Sequence, residues 1–337
     1  MYKFVAASET SWREALKRFD ESNFLQSWQW FDVYKSLGSK VVREIIIDDQ
    51  GTAVGLIGAI VRKAKRGRYL EVPGGPLIDW SNMVLKASVI KELTRIGHKE
   101  LCVFVRIRPQ LIDSPEARED FATLGFNKAP MHLHAEHTSI IDITPSEEIL
   151  LGNMRQQTRY EVKRAPKREI TVRRESSEIA IDTFYKVQQD TAKRQDFVPP
   201  SHTLLQAYQT AFGDDLKIYS AWKNNQLLNL GLVIFYGNEA DYFEAASTPE
   251  ARKEPGAYGL IWESIKDARK RNISRYNLWG IAPNDDPHHR YHGVTTFKRG
   301  FGGEDVTYLP AEDLVLNPVR YQLNRIVETI RKKRRKL

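Results

Sequence analysis

Cysteine and long hydrophobic runs are scarce in this sequence, and each shortage excludes a class of protein. Cys102 is the one cysteine among 337 residues, so no disulfide can form within the chain. It lies in a strand-like run, which predicts packing rather than nucleophilic chemistry. The uncharged apolar run Val54–Val61 has eight residues, whereas a membrane-spanning helix needs roughly 20. The first residues, Met1–Val5, lack the pattern of a signal peptide, and we expect a cytoplasmic protein.

The sequence also lacks the common signatures of metal and covalent catalysis. There is no G-x-S-x-G elbow and no Cys/His pair that would indicate a covalent nucleophile. The histidines have neither accompanying cysteines nor an H-E-x-x-H pattern on a helix, although they form two groups: His132, His134 and His137, then His288, His289 and His292. We therefore predict no metal and no cofactor.

Basic residues are in excess and unevenly placed. Lys and Arg number 51 against 43 Asp and Glu, for a net charge of +8. Residues 331–336 form an unbroken basic run, and Arg155–Arg174 is dense in Lys and Arg. Such patches attract polyanions, so the candidate partners are nucleic acid, an anionic membrane face and a diphosphate substrate. A solvated surface is the alternative explanation for either patch.

Two predicted helices have distinct faces. The first begins at Thr144-Pro145, a candidate N-cap and first helical residue. It carries three basic residues at steps of four, on one face that a phosphate backbone could contact: Arg155, Arg159 and Lys163. The second runs from about Pro318, and we expect its apolar stripe to dock on the first domain: Val319, Leu323, Ile326, Val327 and Ile330.

One supersecondary pattern occurs twice, at an offset of 173 to 175 residues. Each copy has a hairpin, a helix with apolar residues at helical spacing, a further strand, and a Gly-Phe pair that turns into a last strand. The hairpins are Ile45–Arg62 and Ile218–Tyr236, and the turns are Gly125-Phe126 and Gly300-Phe301. This is the element order of CoA-dependent N-acetyltransferases (the GNAT fold). We therefore predict an α/β protein, with α+β mixed sheets, made of two tandem GNAT-like domains.

The second copy holds the candidates for chemistry. The loop Arg252–Gly259 precedes its long helix, where the pyrophosphate of CoA would bind. Tyr258 stands where a small residue is needed, so CoA is disfavoured. Lys298 precedes the glycine turn, at the lip of a glycine-bent strand, and could offer a fixed cation to the negative charge that develops on an attacked ester carbonyl. Considered alone, a surface lysine beside a glycine bulge is the favoured explanation.

With these motifs in order, the sequence resembles the Fem family of aminoacyltransferases, which use aminoacyl-tRNA to build the peptide bridges of bacterial cell walls. The resemblance covers nearly the whole chain and rests on these motifs: Phe24-Leu25-Gln26-Ser27-Trp28-Gln29-Trp30, Pro73-Gly74-Gly75-Pro76, His137-Thr138, Thr158-Arg159-Tyr160, Trp279-Gly280-Ile281 and Phe297–Gly303. It implies transfer of an amino acid from aminoacyl-tRNA to an amine of the stem peptide of UDP-MurNAc-pentapeptide or lipid II. The chain has no room for the helical hairpin of staphylococcal members, which indicates a compact member.

The resemblance implies catalytic roles for individual residues. Lys298 matches the family lysine near the reacting carbonyl, and Tyr242 matches a tyrosine near the acceptor peptide. Lys35 matches a lysine that contacts the nucleotide-sugar diphosphate. The attacking amine must lose a proton, and Glu244 is the candidate base. It lies two residues beyond Tyr242, and we expect both side chains on one face of a strand.

The predicted substrate contacts depart from the family at two positions. Arg108 stands where compact members have an aspartate, and Pro200 stands where they have a phosphate-binding arginine. Arg194 could substitute for that arginine. Trp30 and Phe297 complete the predicted substrate-binding residues.

We place the first domain at residues 1–143, completed by the segment 312–337, and assign it to binding the wall precursor. The second domain, 144–311, holds the transfer site and faces tRNA. We expect a monomer that can contact an anionic membrane at its inner face through 331–336. Two alternatives stay open: a CoA-dependent N-acyltransferase of the same fold, and a non-catalytic RNA- or membrane-binding protein.

Overall fold

The computed structural model describes residues 1–131 and 134–335, which form two compact units. One unit comprises Met1–Glu136 with Thr307–Leu337, and the other comprises His137–Val306. These limits differ by a few residues from the predicted 143/144 and 311/312. The first limit differs because His137–Asp142 is a strand of the second unit's sheet.

The elements follow in chain order. The strands are β1 (Lys3–Ala6), β2 (Lys40–Ile47), β3 (Ala53–Ala64), β4 (Gly67–Gly74), β5 (Leu77–Ile78), β6 (Cys102–Pro109), β7 (Phe126–Lys128), β8 (His137–Asp142), β9 (Thr171–Glu175), β10 (Leu216–Lys223), β11 (Gln226–Tyr236), β12 (Glu239–Ser247), β13 (Arg275–Gly280), β14 (Glu304–Thr307) and β15 (Glu312–Val315). The α-helices are α1 (Glu9–Leu16), α2 (Trp28–Ser36), α3 (Met83–Lys99), α4 (Pro115–Thr123), α5 (Glu147–Asn153), α6 (Gln156–Lys167), α7 (Glu178–Gln195), α8 (His202–Phe212), α9 (Gly256–Lys270), α10 (His292–Arg299) and α11 (Pro318–Arg335).

The first unit is built on a sheet of order β1-β2-β3-β4-β6-β15-β7, with β5 paired to β3. Its one parallel pair among the described strands is β4 with β6, and α3 connects the two. The Asn82 side chain caps α3 by accepting a hydrogen bond from the Leu85 amide. The apolar face of α3 is buried in the core of this unit: Leu85, Val89, Leu93 and Ile96.

The second unit repeats this arrangement with the sheet order β14-β8-β13-β12-β11-β10-β9. Here α9 connects the parallel strands β12 and β13, and its apolar face is also buried: Leu260, Ile261, Ile265 and Ala268. The predicted mixed α/β fold and its internal repeat are confirmed. In both units the long helix buries one apolar face against its own sheet.

The two parallel pairs differ in length. In the first unit β4 and β6 pair, after a register shift between Arg68 and Leu70, as far as Gly74 opposite Pro109. In the second unit β12 and β13 pair over three residues only, from Glu239 opposite Arg275 to Asp241 opposite Asn277. The strands therefore part in the middle of the second unit's sheet.

The predicted helix beginning at Thr144-Pro145 is in fact two helices, α5 and α6, and the first is capped by Ser146 rather than Thr144. The break lies at Met154, which is extended and buried in the core. Arg155 follows it, outside the helical turns, and its amide donates to the Gly300 carbonyl at 2.9 Å. The break therefore precedes the predicted basic face: Arg159 and Lys163 lie on α6, and the Arg159 amide donates to the Arg155 carbonyl at 3.0 Å.

The expected docking of α11 through its apolar stripe was also wrong. The helix contacts the first unit through its opposite face, with Tyr321 and Asn324 buried. Leu323 and Ile326 are exposed. Polar and aromatic contacts to Tyr321 and Asn324 decide which face turns inward. No helix in the described ranges is long and apolar enough to cross a membrane.

Candidate active site

The ammonium group of Lys298 is held where β12 and β13 separate. Its Nζ donates to the Gly280 carbonyl at 2.8 Å and to the Trp279 carbonyl at 3.3 Å, both at the end of β13. Lys298 lies in the last turn of α10, and not at the lip of a strand as predicted. The glycine turn follows it, at Gly302 with φ +83°, and leads into β14. Although the residue as a whole is half-buried, its ammonium group is buried and is held by these backbone carbonyls.

An irregular end of β13 presents these two carbonyls. Trp279 has a φ of 59°, in the left-handed region that a residue with a Cβ rarely adopts. Asn277, which is buried, stabilises this conformation, because its Oδ1 accepts a hydrogen bond from the Trp279 amide at 2.8 Å. Thr138 of β8 donates to the same Oδ1, and the Asn277 Nδ2 donates to Glu239 at 3.1 Å. The strained turn is therefore determined by several contacts, as is common at functional sites.

Further contacts fix α10 against this turn. The Ala282 amide donates to the Thr295 Oγ1 of α10 at 2.8 Å. At the end of the helix, Gly300 lies against the buried Thr158 of α6, and a Cβ at Gly300 would come within 2.2 Å of the Thr158 hydroxyl. Only glycine permits this approach, which explains the glycine directly after Lys298-Arg299.

Glu244 shares an electrostatic environment with Lys298. Burial raises the pKa of the Glu244 carboxyl to about 7, against the opposing effects of a hydrogen bond from Gln188 and of the Lys298 charge. The Gln188 Nε2 of α7 donates to Glu244 Oε2 at 2.7 Å. Burial lowers the pKa of the Lys298 ammonium to about 7, with the charge of Glu244 opposing the shift. A carboxylate and an ammonium can therefore both exist here near neutral pH, and each can exchange a proton there.

Tyr242 does not share a face with Glu244, which corrects the prediction. A bulge at this point in β12 places Tyr242 opposite Val233 but Glu244 opposite the adjacent Leu232. Since neighbouring residues of a strand point to opposite faces, Tyr242 and Glu244 do so too. The Tyr242 ring packs in the core, so close to Gly231 that a Cβ there would lie 2.4 Å from it. Burial raises the Tyr242 pKa.

Aromatic residues surround the separated strand ends. Phe297 packs edge-on against Tyr258 and Phe301, with ring centroids 4.9 and 5.4 Å apart. The bulge residue Phe243 contacts Trp279, with their ring centroids 5.5 Å apart. Phe297 is therefore mainly a packing residue. Phe243 and Gln188 were not predicted from the sequence, because neither lies in a recognisable local motif. Trp279 was noted as part of a family motif, but no role was predicted for it.

The predicted tRNA-binding residues lie around α6. Arg155 and Lys163 are exposed, and Arg159 is half-buried. The Arg159 Nη1 donates to the Gly152 carbonyl at 3.0 Å, at the end of α5. Arg194, on α7 in the same unit, is exposed and donates to the Ser247 carbonyl of β12. Arg155 adjoins the Lys298 segment through its bond to the Gly300 carbonyl.

Most of the first-unit residues that were predicted to contact the precursor are buried within that unit. Trp30 is buried among aromatic rings, including Tyr34 at 5.4 Å between centroids. Arg108 is also buried, and its Nη2 donates to the Ala135 carbonyl at 2.9 Å. Trp30 and Arg108 therefore support the fold of this unit, in place of the direct substrate contact predicted. Lys35, in the last turn of α2, is exposed.

His134, of the first predicted histidine group, pairs with a buried carboxylate of the first unit. His134 Nε2 lies 3.0 Å from Glu71 Oε1, and Glu71 also pairs with Arg62 at 3.2 Å. His132 lies outside the described residues. Among the residues that the structure does describe, no three His, Cys, Asp or Glu side chains converge as metal ligands.

Comparison with known proteins assigns the family. The model of the FemAB family matches residues 9–124, 119–225 and 220–329, which together span most of the chain. The chain belongs to the FemAB family. This confirms the resemblance seen in the sequence motifs.

Individual relatives extend over the same length. The UDP-N-acetylmuramoylpentapeptide-lysine N(6)-alanyltransferase of Weissella viridescens is 23% identical over 328 residues, covering 91% of this chain and 96% of that protein. The aminoacyltransferase FemB of Staphylococcus epidermidis is 20% identical over 407 residues, covering 94% and 95%. The FemAB protein described here is thus similar to whole transferases rather than to a fragment of one.

Solved structures share the fold. The crystal structure of FemX superposes with a TM-score of 0.84 at 17% identity, over 95% of this chain and 99% of that one. A tandem GNAT protein from the clavulanic acid biosynthesis pathway superposes with a TM-score of 0.57 at 11% identity, over 93% and 98%. These likenesses confirm the predicted tandem GNAT-like fold of the FemAB protein.

Proposed function

We propose that this FemAB protein is an aminoacyltransferase of peptidoglycan-bridge synthesis, which moves an amino acid from aminoacyl-tRNA to an amine of the stem peptide of a wall precursor. The observation that carries the proposal is the Lys298 ammonium, held on the carbonyls of Trp279 and Gly280 beside Glu244 where β12 and β13 part. The names of its full-length relatives, an alanyltransferase and an aminoacyltransferase, support the reaction class.

The reaction is the attack of a neutral amine on the ester that joins the amino acid to the tRNA 3′ end. A C–N bond forms and the ester C–O bond breaks. The amine loses a proton, and the ribose hydroxyl leaves with one. An amine of the lysine type has an unperturbed pKa of about 10.4, so it needs a base at neutral pH. Glu244, with its pKa raised to about 7 by burial, is suited to accept that proton.

Lys298 acts on the charge that develops at the ester carbonyl. As attack proceeds, that oxygen becomes an oxyanion, and a fixed cation close to it stabilises the transition state more than the ground state. A preorganised donor of this kind contributes about 3–4 kcal/mol. The carbonyls of Trp279 and Gly280 keep the ammonium in place before substrate arrives. No part of this scheme calls for a cofactor.

We assign the tRNA-binding and precursor-binding residues from their charge and exposure. We assign tRNA to the exposed cations Arg155 and Lys163 and to Arg159, in the unit that holds Lys298. We assign precursor binding to the first unit, with Lys35 as its exposed cation. We expect a cytoplasmic monomer, which light scattering in solution would test.

A transfer assay tests the proposed function. The protein is incubated with a mixture of charged tRNAs and with UDP-MurNAc-pentapeptide or lipid II. The mass of the acceptor is then measured by mass spectrometry. We expect an acceptor heavier by one amino-acid residue, and the increment names the amino acid. Transfer from acyl-CoA instead would favour the CoA-dependent alternative. No transfer from any donor, with RNA binding retained, would favour the non-catalytic one.

Reversing charge at Arg155 and at Lys163 of α6 tests the tRNA assignment. In the double variant Arg155→Glu/Lys163→Glu we expect KM for aminoacyl-tRNA to rise about tenfold or more, because lost phosphate contacts weaken binding. The salt dependence of KM should also become shallower, since fewer counterions are released. The matched control is Lys186→Glu/Lys193→Glu on α7 of the same unit, which should leave KM unchanged. Equal effects in both pairs would contradict a localised tRNA site.

A further inference from the structure

One face of α11 is held firmly on the first unit. The buried Tyr321 packs its ring on Phe104 at 5.4 Å between centroids, and its hydroxyl donates to Asp313 at 3.0 Å. Arg106 donates to Glu328 of the helix at 2.9 Å. This face is therefore occupied, and the helix cannot rotate without breaking these contacts.

The opposite face is apolar and uncovered. Successive positions on it are separated by four, three and four residues, which places them in one stripe along the helix. The side chains are large, aliphatic and exposed: Val319 at 76%, Leu323 at 58%, Ile326 at 55% and Ile330 at 47%. Isolated exposed aliphatic residues are ordinary, but a continuous stripe marks a surface that binds something.

The charges of this segment are almost all positive. Residues 318–336 contain eight Lys and Arg and a single acidic residue, Glu328. Glu328 faces the first unit, where it pairs with Arg106. Arg320 and Arg331 directly follow Val319 and Ile330 in the sequence, so each lies at the edge of the stripe one helical step away. The surface left to solvent is thus aliphatic with cationic edges.

This combination distinguishes between possible occupants. RNA would use the cations but would gain nothing from four aliphatic side chains. A second copy of this chain could cover the stripe, but it would bring two strongly cationic helices together. An anionic lipid surface accepts both features, because aliphatic side chains enter the acyl boundary while Lys and Arg contact the headgroups.

We propose that α11 is an in-plane anchor that docks this protein on anionic phospholipid membranes, through the Val319, Leu323, Ile326 and Ile330 stripe and its basic edges. The anchor lies on the surface and does not span the bilayer. For the reaction, this inference rests on the proposed function: an enzyme held at a membrane meets its wall precursor in the lipid-linked form. The docking itself can be tested without any transfer reaction.

Flotation with vesicles measures the docking. The full-length protein is mixed with vesicles of phosphatidylglycerol and phosphatidylethanolamine, or with vesicles of phosphatidylcholine alone. We expect flotation with the anionic vesicles only, and its loss at about 1 M salt, where charges are screened beyond about 3 Å. The variant Leu323→Gln/Ile326→Gln keeps the charge of the helix and should reduce the partition coefficient by about tenfold or more. Ile179→Gln, an aliphatic residue of α7 exposed at 76%, is the matched control and should float as the wild type does.

The outcomes separate the alternatives. Equal flotation of the double variant and the wild type, or no flotation of the wild type, overturns the proposal. A third outcome is that the wild type is a dimer, the double variant is a monomer, and neither protein floats. In that case the stripe is an interface between two copies and the proposal is wrong. Since both substituted side chains are exposed, the thermal unfolding midpoint should not fall, and that measurement shows that the variant is folded.

Activity assays distinguish failure of the anchor from failure of the proposed function. The double variant should lose transfer to lipid-linked precursor in vesicles by about the same factor as its flotation, and keep transfer to the soluble nucleotide-linked precursor. Lys298→Met should lose both activities and still float. Flotation without any transfer in the wild type would reject the proposed function and leave the anchor intact.

Discussion

Replacing Lys298 with methionine is expected to lower kcat for aminoacyl transfer by about 10²–10³-fold, the usual effect of removing one preorganised oxyanion donor. Methionine retains much of the aliphatic volume but carries no charge for the developing oxyanion. KM for either substrate should change little, because the stabilisation arises in the transition state. The measurement is the initial rate at saturating aminoacyl-tRNA and precursor.

Two further variants make this result interpretable. Lys266→Met replaces another partly buried lysine of the second unit, one that pairs with Glu263 at 2.7 Å, and should leave kcat near the wild-type value. Lys298→Arg keeps a cation and should retain more activity than methionine does. A Lys298→Met enzyme that is folded and as active as the Lys266→Met control would exclude Lys298 from the chemistry.

Replacing Glu244 with glutamine is expected to lower kcat by about 10²-fold or more, because a general base contributes that much. The pH profile gives a sharper test. Burial raises the pKa of Glu244 to about 7, so the basic carboxylate forms as pH rises through 7. Burial lowers the pKa of Lys298 to about 7, so its ammonium is lost as pH rises through the same range. The wild-type rate should therefore peak near pH 7 and fall on both sides.

Each variant should remove one side of this profile. Glu244→Gln should abolish the fall below pH 7, since no carboxylate is left to protonate, and Lys298→Met should abolish the fall above it. Glu263→Gln, at a half-exposed glutamate of α9, is the matched control and should keep the full profile. If the residual activity of Glu244→Gln still falls on acidification with the wild-type midpoint, another group is the base, such as a phosphate or ribose hydroxyl of the substrate.

The fold could be predicted to a large extent because its signals are local. Apolar residues at helical spacing in α3 and α9 can be read from each segment alone, since each helix must bury one face. The same reading failed for α11, where periodicity identified an apolar stripe but could not say which face the first unit would accept. That depends on Phe104, Arg106 and Asp313, which lie on other elements.

The sequence could predict which residues belong to the site, but not how their side chains are arranged relative to one another. Lys298 followed from a family motif, and Glu244 was chosen from a strand spacing relative to Tyr242 that the structure does not show. The bulge at Phe243, which separates Tyr242 from Glu244, depends on the register of β12 against β11 and has no mark in the local sequence. Gln188, which holds Glu244, comes from a helix far away in the chain.

By itself the sequence determined the doubled α/β unit, the membership of the FemAB family, and the lysine beside the glycine turn, because periodicity and motif order are properties of neighbouring residues. The tertiary structure decided that this lysine lies on a helix, with its ammonium on the carbonyls of a strained turn at Trp279. It also brought Lys298 and Glu244 to pKa values near 7. Burial causes those shifts, and burial is a property of the packed molecule and not of any one segment.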